Sequence, residues 1–329
     1  MPTPLKAGAV LRERYKVRRV IGQGGMGCIY LADDVRLEGR LCALKEVEHD
    51  NTLPNDMLRQ TREQFLREAT VLARLDHPNL PKVSDFFSVQ QRDYLVMDFV
   101  PGKDLRTLMM EAHQENKLLP ESEVLGWAAQ LCDALGYLHL QDPPILHRDI
   151  KPSNLKLTPS GLIKLVDFGL VKILASEEMT ITILQGRGTA LYTPLEQYGG
   201  DTGHTDARSD LYAFGSTLYH LLTNHAPIEA RERFLHPDSL LPLRQYNPDI
   251  SARSERAILW AMNLHPDDRP QDIEAFRQAL LGNFIPGIQA RRPLPSPTFP
   301  DLFSSPIERI LLGISAGALL LSLLATLLR

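Results

Sequence analysis

The run His147-Arg148-Asp149-Ile150-Lys151-Pro152-Ser153-Asn154, followed by Asp167-Phe168-Gly169, decides how this chain is read. Asn154 and Asp167 are hard oxygen donors of the kind that suit Mg²⁺. Asp149 and Lys151 set an acid and a cation beside them. A lone Asp or Asn in a loop would cap a helix or brace a turn. The whole set in so little chain asks for a chemical reason.

Toward the N-terminus, Ile21-Gly22-Gln23-Gly24-Gly25-Met26-Gly27-Cys28-Ile29 spaces Gly22, Gly24 and Gly27 as GxGxxG. Glycines let backbone N–H groups approach phosphate oxygens closely. The spacing alone also marks dinucleotide-binding folds and plain turns. A dinucleotide fingerprint opens a helix, whereas β-like Ile29-Tyr30-Leu31 follows here, so a strand–loop–strand hairpin is expected. Lys45 sits in the apolar run Leu41–Val47, awkward for an ammonium unless an anion receives it. The alternative is an edge-strand lysine reaching out to water. Glu68, on the helix that follows, is a candidate partner for Lys45, with Arg62 and Arg67 equally available to it.

With these motifs in this order, the sequence resembles the Hanks-type (eukaryotic-like) serine/threonine protein kinases, the bacterial branch in particular, from about Tyr15 to Leu281. The resemblance implies a catalytic base in Asp149, a γ-phosphate contact in Lys151, and metal ligands in Asn154 and Asp167 for Mg²⁺ (or Mn²⁺). It implies an ATP site that includes Ile21, with Ile29 and Ala43 as its apolar roof. In it Met97 is the gatekeeper, Asp98-Phe99-Val100 the hinge, and Asp104 the acidic residue near the ribose. Lys156 departs from the pattern, standing where an apolar residue usually lies under the adenine.

Arg148 before Asp149 is the arrangement of kinases controlled by activation-loop phosphorylation. The loop offers Ser176, Thr180, Thr182 and Thr189; family position favours Thr180 and Thr182 for autophosphorylation. Thr189 corresponds to the threonine that contacts Asp149 and Lys151. Pro194-Leu195-Glu196 replaces the usual Ala-Pro-Glu, yet Glu196 keeps its implied structural partner Arg269. Asp210 matches the helix aspartate that holds the catalytic-loop backbone.

The wider chain agrees with an α+β, bilobal kinase fold. Strands are expected at Tyr15–Ile21, Cys28–Asp33, Leu41–Val47, Lys82–Ser88 and Tyr94–Phe99, interrupted by a helix over Asp56–Leu75 with Phe65, Ala69 and Leu72 on one face. After Val100-Pro101-Gly102 helices dominate: Ser122–Leu140, Leu211–Leu222, Glu255–Met262 and Ile273–Leu281. A short hairpin is expected around Ser160-Gly161. The expected parts are an N-terminal tail (1–14), a kinase domain (15–285, lobes 15–100 and 101–285), a Pro-rich juxtamembrane linker (286–309) and a transmembrane helix (310–328).

Ile310–Leu328 carries no charge and would span about 28 Å as a helix, close to a bilayer core of about 30 Å. With ATP in the cytoplasm and Arg291, Arg292 and Arg309 flanking the segment, a single-pass anchor in the cell membrane with a cytoplasmic kinase is expected. Only Arg329 follows, so the chain reads as tail-anchored or as a piece of a longer receptor-like kinase. Gly313 and Gly317 form a GxxxG match that would pair two helices in a homodimer and promote trans-autophosphorylation.

At 43% hydrophobic and 23% charged the chain is an ordinary folded protein, and a net charge of −4 gives no basic field for nucleic acid. Cys28, Cys42 and Cys132 lack CxxC spacing and read as reduced thiols. Two further readings compete with a protein kinase: a membrane-anchored pseudokinase scaffold, and a small-molecule kinase of related fold. The intact Lys45, Glu68, Asp149, Asn154 and Asp167 weigh against the first. Lys151, Thr189 and the loop through Glu196 favour protein substrates over the second.

Overall fold

A computed structural model describes residues 3–24, 27–48, 55–89, 92–167, 187–198 and 205–282. Alternating apolar and β-branched residues build a six-stranded antiparallel sheet from β1 (Val10–Leu11), β2 (Tyr15–Gly24), β3 (Gly27–Asp34), β4 (Leu41–Glu48), β5 (Val83–Val89) and β6 (Arg92–Asp98). Their order is β1-β2-β3-β4-β6-β5. Helix α1 (Asn55–Arg74) packs on β5 through the buried face Phe65, Ala69 and Leu72, the residues whose spacing predicts it. Tyr15, Phe87 and Tyr94 stack on the other face, with centroids 5.6 and 5.3 Å apart.

The expected tail over 1–14 contains a strand. Val10 pairs with Lys16 across a tight turn at Arg12 and Glu13 (φ 51° and 54°), and the Leu5 N–H donates to the Tyr30 hydroxyl at 3.0 Å. Two residues of strand are too short for alternation to announce. The same Tyr30 hydroxyl donates to buried Glu46 at 2.9 Å, where Tyr94 (3.2 Å) and Arg92 (3.2 Å) also donate. These donors satisfy the buried side-chain oxygens of Glu46 inside the lobe.

The second lobe starts with β7 (Lys103–Asp104), α2 (Leu105–Gln114) and α3 (Glu121–His139). A small sheet β7-β8-β9 adds β8 (Leu155–Leu157) and β9 (Ile163–Leu165). At Gly102, φ is 103° and a Cβ would lie 2.0 Å from the Leu157 carbonyl oxygen, so no side chain fits. Helix α4 (Ala207–Thr223) is buried nearly all round and serves as the lobe's central post. Its N-cap Asp206 accepts from the Arg208 N–H at 2.8 Å, and Asn224 ends it in the left-handed conformation. Helices α5 (Ala230–Leu235), α6 (Ala252–Ala261) and α7 (Ile273–Leu281) complete the lobe, with α3, α6 and α7 against α4.

Among the described residues no helix is long and apolar enough to cross a membrane. The expected linker (286–309) and transmembrane helix (310–328), with Thr180, Thr182, Phe168 and Gly169, lie outside the described residues.

Candidate active site

The start of the run from His147 to Asn154 is held from below by Asp210. Asp210, on α4, is fully buried; its Oδ2 accepts from the His147 N–H (2.9 Å) and Oδ1 from the Arg148 N–H (2.8 Å). The His139 ring nitrogen Nε2 lies 3.0 Å from Oδ2. Burial pushes the Asp210 carboxyl up, but His139, the charge of His147 and the backbone donors outweigh it, and the net shift is below the usual carboxylate range. Arg148 takes a left-handed φ of 63°, and Asp167 one of 66°. Such conformations in non-glycine residues cost energy that the surrounding contacts must supply.

Above this base the polar groups converge. Lys151 Nζ donates to Asp149 Oδ2 at 2.9 Å and to the Thr189 hydroxyl at 3.0 Å. Asn154 Nδ2 donates to the Asp149 carbonyl (2.8 Å) and to Asp149 Oδ2 (3.0 Å). Asp149 is thereby aimed by two donors. Across the cleft, Lys45 on β4 forms an ion pair with Asp167. Glu68, half-buried on α1, lies close enough to Arg148 for its charge to act there, helping Asp210 oppose the depression that burial imposes on the guanidinium.

Asn154 and Asp167 therefore supply two oxygen donors beside a lysine suited to phosphate. Among the described residues no cluster of three or more His, Cys, Asp or Glu forms a metal cage. That donor set fits Mg²⁺, which takes one or two carboxylates and completes its shell with phosphates and water.

The glycine hairpin and β4 form the upper wall of the cleft. Gly24 pairs with Gly27, and a Cβ on Gly27 (φ 150°) would lie 2.1 Å from the Glu46 carbonyl oxygen. Ile21, Gly22 and Ile29 line the hairpin, where a Cβ placed on Gly22 would touch Ile29 Cδ1 at 3.4 Å. Ala43 is buried on β4 opposite Met97, and Val100 is buried past the hinge, where the Asp98 N–H donates to the Lys82 carbonyl at 2.9 Å. Asp104 is committed to the fold as the N-cap of α2, accepting from the Thr107 N–H (2.9 Å) and hydroxyl (3.1 Å). Lys156 lies opposite Asp104 on β8, half-buried, with Nζ 5.8 Å from the Phe99 ring centroid. Burial lowers its pKa, against the charge of Asp104 and together with that of Arg19.

Glu196 and Arg269 form a bidentate pair (2.7 and 3.0 Å), with the Arg269 side chain fully buried. Burial raises the Glu196 carboxyl; the hydrogen bonds and charge of Arg269 and the Ser209 hydroxyl lower it further than burial raises it. Sequence reasoning missed His139 beneath Asp210, and the contact of the Tyr192 hydroxyl with His220 Nδ1 at 2.6 Å. Neither pair carries a local signal, because each joins residues distant in sequence.

A strand-rich lobe over a helical lobe, with acid, lysine, amide and carboxylate meeting at their junction, is the arrangement of a kinase cleft. The chain belongs to the protein kinase family: the family model described as protein kinase domain matches residues 15–276. It is 34% identical over 271 residues to a probable serine/threonine-protein kinase of Clostridium acetobutylicum, covering 80% of this chain and 39% of that protein. To the serine/threonine-protein kinase PrkC of Bacillus subtilis it is 34% identical over 278 residues, covering 82% and 40%. The chain thus spans about two-fifths of the length of these relatives. Among solved structures, the apo form of PpkA-294 superposes with a TM-score of 0.70 at 27% identity, over 84% of this chain and 99% of that one. A mutant form of the PknI kinase domain of Mycobacterium tuberculosis gives 0.64 at 29%, over 84% and 98%.

Proposed function

We propose that this chain transfers the γ-phosphoryl group of ATP to serine and threonine hydroxyls of proteins. The observation that carries the reading is the Asp149–Lys151–Thr189 contact, with Asn154 bonded to the same Asp149 carboxylate. Asp149 orients the acceptor hydroxyl and takes its proton as the oxygen attacks the γ-phosphorus, while the bond from that phosphorus to the bridging oxygen breaks and ADP leaves. Lys151, already held between Asp149 and Thr189, meets the charge on the transferred group. Lys45 is placed to hold the remaining phosphates, and the Gly22–Gly27 hairpin covers them. Asn154 and Asp167 would hold Mg²⁺ (or Mn²⁺), which neutralises phosphate charge and fixes its orientation when bound.

Control by activation-loop autophosphorylation at Thr180 or Thr182 is part of this reading, supported by Arg148 beside the base. So is a single-pass anchor over 310–328 that keeps the kinase at the cytoplasmic face of the cell membrane and, through Gly313 and Gly317, pairs two copies.

The test is transfer from radiolabelled ATP with Mg²⁺ by the purified full chain, beside Asp149→Asn and Lys45→Met. Label on serine or threonine in the parent and its loss in both variants is the expected result. A folded parent that binds ATP and transfers nothing would leave the scaffold reading in its place.

A further inference from the structure

The acceptor hydroxyl must come to Asp149, so the substrate chain on either side of it runs over the surface around Lys151 and Thr189. That surface can be traced. The Tyr192 N–H donates to the Thr189 carbonyl at 3.0 Å, closing a turn that leads from the site to Tyr192. The Tyr192 hydroxyl meets His220 Nδ1 at 2.6 Å, on the last turn of α4. Helix α2 packs against both α4 and the Pro152–Asn154 turn, and its first turn presents Arg106 exposed. The Arg106 guanidinium is near enough to both Tyr192 and His220 for its charge to act on each.

Resting on the protein-kinase reading above, we propose that Arg106 selects substrates bearing a carboxylate side chain a few residues from the acceptor serine or threonine. Arg106 has no ion-pair partner among the described residues. The nearest carboxylate in sequence, Asp104, is taken up by Thr107. His220 contributes no charge at neutral pH, since burial first and then Arg106 and His225 push it down to about 4. On the far side of the turn, Arg231 lies over the Tyr198 ring (5.4 Å) while Glu229 acts on the same tyrosine, so those charges offset. Among the described residues of this surface, the uncompensated charge is therefore Arg106.

The test is steady-state kinetics of the full chain on serine and threonine peptides of alanine background. A single Glu, and separately a single Lys, is walked through the positions on both sides of the acceptor. Each is compared between the parent, Arg106→Ala and Arg106→Glu as a ratio to the all-alanine peptide, which cancels any general loss of activity. In the parent, Glu at one position raises kcat/KM about fivefold, through KM, and the gain shrinks with added salt. The gain disappears in Arg106→Ala, and in Arg106→Glu the same position prefers Lys. No favoured Glu position, or a preference that survives Arg106→Glu, overturns the proposal while leaving kinase activity standing. Absence of transfer to any peptide and to the chain itself removes the kinase reading and this one with it.

Discussion

Replacing Asp210 by Asn probes the support of the catalytic loop without changing side-chain size. In the parent one carboxylate accepts from three groups, the His147 N–H (2.9 Å), the Arg148 N–H (2.8 Å) and His139 Nε2 (3.0 Å). An asparagine has one acceptor oxygen and one donor amine. If its oxygen keeps the His147 and His139 contacts, its amine faces the Arg148 N–H. If it keeps Arg148, the amine faces the His147 N–H, which cannot turn away. Either way one backbone donor loses its partner in a place with no solvent. A hydrogen bond to a charged group contributes about 1.5–3 kcal/mol, so a loss of about 2–4 kcal/mol is expected. Urea unfolding of the full chain measures it, and kcat on a peptide should fall at least about tenfold as Asp149 loses its fixed position. A stability change below about 0.5 kcal/mol would show that the loop takes its geometry from elsewhere. Lost stability with unchanged kcat would show that Asp210 supports only the core.

Arg269→Ala leaves Glu196 buried and three carbonyls short of a donor, and should cost about 3–5 kcal/mol in denaturant unfolding; Arg269→Met combined with Glu196→Leu should cost clearly less, and equal losses would contradict the account. His220 is neutral when folded down to about pH 4, while the unfolded chain takes up a proton below about 6.5. The fold should therefore lose roughly 3 kcal/mol as pH falls through that window, and thermal melts of His220→Gln, which keeps an acceptor for Tyr192, should show a shallower slope than the parent. Gly27→Ala sets a Cβ against the Glu46 carbonyl and should destabilise the small lobe by about 2–4 kcal/mol while raising the KM for ATP; a neutral result in urea would mean the hairpin shifts at little cost. Lys156→Leu removes a half-buried ammonium from the cleft floor, so stability should hold or rise by up to about 1 kcal/mol, and a clear loss would indicate that its contact with Phe99 holds the hinge.

Local chemistry explains what could be read from the chain beforehand. The five main strands and α1 announce themselves through the period of their apolar residues, and their ends fall within a few positions of expectation. Helix α2 gives no such warning, because its buried face is only Leu105 and Met109 and it follows directly on β7. Asp149, Lys151 and Asn154 stand in one short run with Asp167 soon after it, so these functional groups declare themselves together. Pairings do not: nothing in the chain links Lys45 to Asp167, which only the closing of one lobe's strand toward the other's loop brings to it. Likewise His220 carries no mark of Tyr192, since only the packing of α4 against the turn brings them into contact.

The tie from Asp210 to the Arg148 N–H has a mechanical consequence. That amide is clamped to a helix inside the same lobe, so the backbone behind the arginine is an anchorage and not a lever. A phosphate arriving at its guanidinium would pull on something that does not yield. Under such a pull Asp149, the next residue along, would stay where folding put it. An inactive form of this chain should then still keep its base in position.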